Sequence, residues 1–142
     1  MDPESARIEH LKLIQDIIAR LGRNSFAIKA VAATVVAAVI AATVSSRSPL
    51  IAAYAGLPVA MFWMLDAFYL LRERRYRKLY DLARRGSPPE PGDQTYFSMS
   101  VDRENQGDGG LIKIAFSATL LIFYVSLLAI LALAAAVESL DK

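Results

Sequence analysis

Apolar residues in this chain are gathered into three long runs rather than spaced at the period of a helix face or a strand. Residues 30–46 carry no charge and 24–46 carry only Lys29; residues 48–71 carry only Asp66; residues 114–137 carry none. Such runs match the ~20 residues that a helix needs to cross ~30 Å of hydrocarbon. None shows the polar face that a soluble core helix keeps. The pattern predicts an all-α membrane protein with transmembrane helices over 26–46, 48–85 and 113–137, the second carrying a basic extension beyond the membrane. A cleavable signal core fits the first run poorly, because about 25 polar and amphipathic residues precede it.

Those preceding residues, 1–25, alternate differently. Ile8, Leu11, Ile14, Ile17 or Ile18, and Leu21 recur at three-to-four spacing, with Arg7, Glu9, Lys12, Gln15, Asp16 and Arg20 opposite. This predicts an amphipathic helix closed by Gly22, with Asn24 or Ser25 suited to cap the next one. Its apolar face serves the membrane surface, the extension of the second helix or a neighbouring subunit. Pro58 is expected to kink the second helix near its middle. Gly86 and the prolines of "GSPPEPGDQ" end it. Residues 86–112 read as loop and linker, with "TYFSMSV" (95–101) apolar enough to dock, and 138–142 as a short tail.

Charge sets the orientation. Residues 1–29 hold five Lys and Arg and residues 72–113 hold nine, whereas the first hairpin holds Arg47 alone and the tail Lys142 alone. The positive-inside bias then places the N-terminus and the 86–112 loop in the cytoplasm and the first hairpin and the C-terminus outside. The formal net charge of +2 conceals this asymmetry.

Catalytic chemistry is poorly provided for. The chain has no Cys and one His, and no metalloprotease, phosphate-loop or nucleophile-elbow motif. Neither an enzyme, a metal site nor a cofactor is expected, and His10, on the polar face, is expected to be incidental. Asp66 is the first residue of interest, since an ionisable group within a membrane segment points to function. It lies about 9 Å along the helix before Arg72, within reach of Lys29. The two form a structural pair, or Lys29 snorkels while Asp66 faces a wet interior; alternatively, in an oligomer, Asp66 side chains ring a pore mouth.

The second is "FYLLRERRYRKLYDLARRG" (68–86), where Arg72, Arg74, Arg75, Arg77, Lys78, Arg84 and Arg85 face only Glu73 and Asp81. Juxtamembrane cations attract acidic lipids. Six arginines to one lysine suit bidentate phosphate recognition, and Tyr76 and Tyr80, with Tyr69 and returning Tyr96 and Phe97, offer rings on which bases stack. Tyr69, Tyr76, Leu79 or Tyr80, and Ala83 also form a stripe that calls for a partner helix.

The order of "EHLKLIQDIIARLGRNSFAIK", an apolar hairpin and "FWMLDAFYLLRERRYRKLYD" resembles the membrane effectors of nucleotidyltransferase-linked antiphage operons, the Hailong system, over roughly residues 8–85. The resemblance implies a homotetrameric channel held shut by single-stranded oligodeoxyadenylate that a cognate nucleotidyltransferase makes. Release of that oligomer during infection would depolarise the membrane and arrest growth. The alternatives from the residues themselves are a structural or assembly subunit whose basic helix binds acidic lipids, and a small transporter. The transporter is disfavoured because no second embedded charge or broken-helix pair accompanies Asp66.

Overall fold

The computed structural model describes residues 3–86 and 110–140, all but a few of them helical, and no strand occurs among them. Five helices follow one another: α1 Pro3–Ser46, α2 Pro49–Tyr54, α3 Gly56–Arg85, α4 Gly110–Ala115 and α5 Ala118–Leu140. Three stretches, Glu4–Ser46, Pro49–Arg85 and Ala118–Leu140, are long and apolar enough to cross a membrane, as a multi-pass membrane protein requires. The expected docking segment with Tyr96 and Phe97 lies outside the described residues.

The amphipathic helix and the first apolar run are one helix of 44 residues, not two. Gly22 does not close the first, and Ser25 caps nothing. An interior glycine costs about 1 kcal/mol, too little to break a helix that is packed on both sides of it. Along α1, Ala6, His10, Ile14, Ser25, Ala32, Val36 and Thr43 are buried. This single stripe, turned toward α3, runs through both the charged and the apolar parts. The N-terminal half therefore packs on the extension of α3 rather than standing apart from it. His10, expected outside, is inside with 2% of its surface exposed.

The second span is interrupted earlier than its middle. Pro58 has no N–H, so the carbonyl of Tyr54 loses its helical donor, and α2 ends there. Ala55 stays right-handed (φ −68°, ψ −16°) and α3 resumes at Gly56. The third span is split too. α4 ends at Ala115, and the backbone carbonyl of Ser117 opens α5 by accepting the amide of Leu121 at 2.9 Å. Residues 110–115, expected as linker and helix start, thus form a helix of their own, packed on α3. From α5, Leu120, Tyr124, Leu127 and Leu131 enter the core at four-three-four spacing and meet Val36, Val59, Ala67 and Ile114.

The turn after α1 closes with Ser48 N–H bonded to the Thr43 carbonyl and Arg47 N–H to that of Val44, both 3.3 Å. This is a Schellman motif, and it forces Arg47 to φ 48°, where a side chain costs roughly 1–2 kcal/mol. Arg47→Gly should gain up to about 1 kcal/mol of that, less the entropy of the unfolded chain, whereas Arg47→Val should destabilise. Thermal unfolding in detergent gives the order of the two variants; valine above glycine would refute the left-handed turn.

Candidate functional site

Asp66 is fully buried within the apolar part of α3, and three side chains from two other helices converge on it. Ser25 of α1 donates to Oδ1 at 2.5 Å. Lys29 of α1 approaches Oδ2 at 2.5 Å and donates to Ser25 Oγ at 2.9 Å. Tyr124 of α5 presents its single hydroxyl proton to Oδ2 and to the Phe62 carbonyl, each at 3.2 Å. Both carboxylate oxygens are thereby served, which an ionised group away from water demands. Lys29 retains 21% exposure of its side chain, so its aliphatic stem lies in the apolar layer while the ammonium keeps an outlet.

Aromatic rings enclose this cluster. Trp63 stacks on Tyr124 with centroids 5.9 Å apart and planes 7° from parallel. Its indole N–H donates to the Ala115 carbonyl at 2.9 Å, the group left without a helical partner where α4 ends. Phe123 meets Tyr124 edge-on at 5.1 Å. One carboxylate thus ties α1, α3 and α5 together, and its neighbour Trp63 adds α4.

Beyond it, α1 and α3 run antiparallel as a charged helix pair. Gln15 Nε2 donates to the Tyr80 hydroxyl at 3.0 Å, and the Arg7 guanidinium donates to the Arg84 carbonyl at 2.6 Å. That second contact places a cation on the negative end of α3. The predicted basic residues divide by face. Arg74, Arg77, Lys78, Arg84 and Arg85 are exposed on the outer side, with Asp81 among them, whereas Arg72, Arg75, Tyr76 and Tyr80 are half-buried. Arg77 is held by Glu73 through Nε and Nη2, at 2.9 and 2.7 Å, and Arg72 lies 5.3 Å over the Phe68 ring.

The cations and tyrosine rings therefore do not share one exposed surface: five of the seven cations are exposed, whereas Tyr76 and Tyr80 are half-buried with Arg72 and Arg75, and Tyr80 meets Gln15 of α1. Lys29 and Asp66 meet, as the sequence suggested. Ser25 and Tyr124 were missed. Ser25 stands one helical turn before Lys29, which is a usable signal; Tyr124 is hidden in an uninterrupted apolar run.

Two outcomes test this arrangement. Removing one partner of a buried ion pair costs about 3–5 kcal/mol, whereas removing both costs less than the sum. Asp66→Leu and Lys29→Met should each lower stability sharply, and the double variant should recover part of the loss. The stacked Trp63, the only tryptophan, reports unfolding by fluorescence; strictly additive losses would rule out the coupling. Burial also lowers the pKa of His10, so folding favours its neutral form while the unfolded chain binds a proton near 6.5. Its contribution is intact above the unfolded pKa and is lost as the pH falls toward the folded one. Amide exchange over residues 4–20, corrected for intrinsic rates, should quicken between pH about 7.5 and about 5.5, and His10→Gln should abolish the difference. Equal acceleration in both proteins would place the pH sensitivity elsewhere.

No protein-family model, curated protein or solved structure matches this chain.

Proposed function

We propose that this protein is a ligand-controlled, pore-forming effector of a bacterial inner membrane, with its charged helix pair in the cytoplasm and its C-terminus in the periplasm. Copies assemble around an axis, as a tetramer if the resemblance holds. They leave the exposed Ala37, Ala38 and Ala41 of α1 and the Met61, Leu65 and Phe68 face of α3 as packing surfaces. A short single-stranded nucleotide oligomer, bound by the basic helix, holds the pore closed, and its release depolarises the cell.

The observation that carries this proposal is the continuity of α3 from Gly56 to Arg85. The extension prolongs the span and is braced by α1. Arg85 then stands about 20 Å beyond Arg72, whereas attraction to a charged surface fades over a Debye length of about 8–10 Å. Head groups are too far to account for Arg84 and Arg85; a soluble polyanion crossing Arg74, Lys78, Arg84 and Arg85 is not. Because Tyr76 and Tyr80 are half-buried, phosphate contacts supply most of the affinity and base stacking on Tyr76 or Tyr80 a minor part. The second reading, a lipid-binding assembly subunit, draws on Arg72 and Arg75, which lie nearest the apolar span.

Arg74→Glu and Lys78→Glu should each weaken binding to short oligodeoxyadenylate and lower the slope of log affinity against log salt by about 0.7 per lost phosphate contact. Tyr76→Ala should have a smaller effect. In cells the same charge reversals should be toxic without infection. Unchanged oligonucleotide binding with loss of acidic-liposome binding would overturn the effector proposal in favour of the lipid-binding subunit.

A further inference from the structure

We propose that the side of α1 turned away from α3 holds the head group of a phospholipid bearing both a phosphate and a primary ammonium. Arg20 and Arg23 take the phosphate, and Asp16 takes the ammonium. This site is separate from the basic face of α3 and does not depend on its ligand.

A groove of about 370 Å³ is lined by Leu13, Asp16, Ile17, Ala19, Arg20 and Arg23. Its depth in the membrane follows from the helix pair. Gly22 lies beside Glu73 and Ser25 beside Asp66, so Arg20 and Arg23 stand level with the point where α3 changes from apolar to charged. Directly below, on the same side of α1, Ala27, Ala30 and Val31 are exposed and uncharged. A charged pocket at the boundary with a smooth apolar track beneath it matches a lipid, head above and chain below. A soluble anion has no use for the track.

Lys29, Arg72 and Arg77, near this level, are engaged with Asp66, the Phe68 ring and Glu73 respectively. Arg20 and Arg23 instead line an open groove, and two guanidinium forks suit phosphate oxygens. Asp16 decides the class of head group. It lies one turn, about 6 Å, farther from the membrane than Arg20. There it would repel a purely anionic head group such as phosphoglycerol, while it complements an ammonium joined to the phosphate by the short ethanolamine spacer. A choline head group carries no N–H to donate.

The full-length protein in mild detergent, offered equal amounts of phosphatidylethanolamine, phosphatidylglycerol and phosphatidylcholine, provides the test by native mass spectrometry. The parent should retain phosphatidylethanolamine preferentially. The double variant Arg20→Gln/Arg23→Gln should lose phospholipid adducts by about tenfold, the scale of a lost charge-assisted hydrogen bond. Asp16→Asn should keep adducts yet lose the preference over phosphatidylglycerol. Trp63 fluorescence melts, unchanged for these exposed substitutions, confirm that each variant is folded. A parent without preference, or an Asp16→Asn variant that keeps the parental one, overturns the proposal. Displacement of the lipid by inorganic phosphate would identify a free-phosphate site instead and overturn it as well.

Discussion

A carboxylate with no exposure inside an apolar span has to be compensated where it sits, and the compensation at Asp66 sets how the three spans meet. Desolvating such a charge costs several kcal/mol even after relaxation, and here the donors come from Ser25 and Lys29 on α1 and Tyr124 on α5. In lipid, helices gain little from burying apolar surface against one another, so close packing and polar contacts decide their arrangement. Sliding α1 by one turn, about 5.4 Å, would move Ser25 and Lys29 out of reach together. The apolar core around Val36, Val59 and Leu127 could tolerate several registers; the carboxylate tolerates one.

The membrane spans were legible because length and lack of charge are properties of the sequence itself. So was the Lys29–Asp66 pair, because two isolated charges near the same boundary have few other partners. The phase of α1 was legible in part: Ile14 is buried and Leu11, Ile17, Ile18 and Leu21 are half-buried, but Ile8 is about half exposed while Ala6 and His10 are buried. Close approach of α1 to α3 favours the small residue, and the wide aliphatic arc exceeds what a single partner helix covers. Gly22 misled for a related reason: a stop signal holds only where no tertiary packing continues past it. The break at Ala55 had a clearer origin: Pro58 removes a donor, with Gly56 beside it.

The basic segment shows how far composition can go. Counting arginines and tyrosines over 72–85 suggested one mixed surface, but a helix distributes them by angle. Tyr80 turns toward Gln15, and Arg74, Lys78 and Arg85 turn outward. Sequence supplied the cations and the rings; the partner helix α1 determined which of them remain on the surface.

α1 and α3 each pass unbroken from the charged pair into the apolar layer, and Arg7, Gln15, Ser25 and Lys29 join them along most of that length. The two helices therefore share one polar seam that runs from Arg84 to Asp66, where Tyr124 ties in α5, while at Trp63 the Ala115 carbonyl ties in α4. Past that layer the span of α3 is interrupted at Ala55, where Pro58 has removed a helical hydrogen bond. The buried carboxylate thus stands between the charged end of α3 and the break in its span, and its hydrogen bonds to α1 and α5 lie between the two.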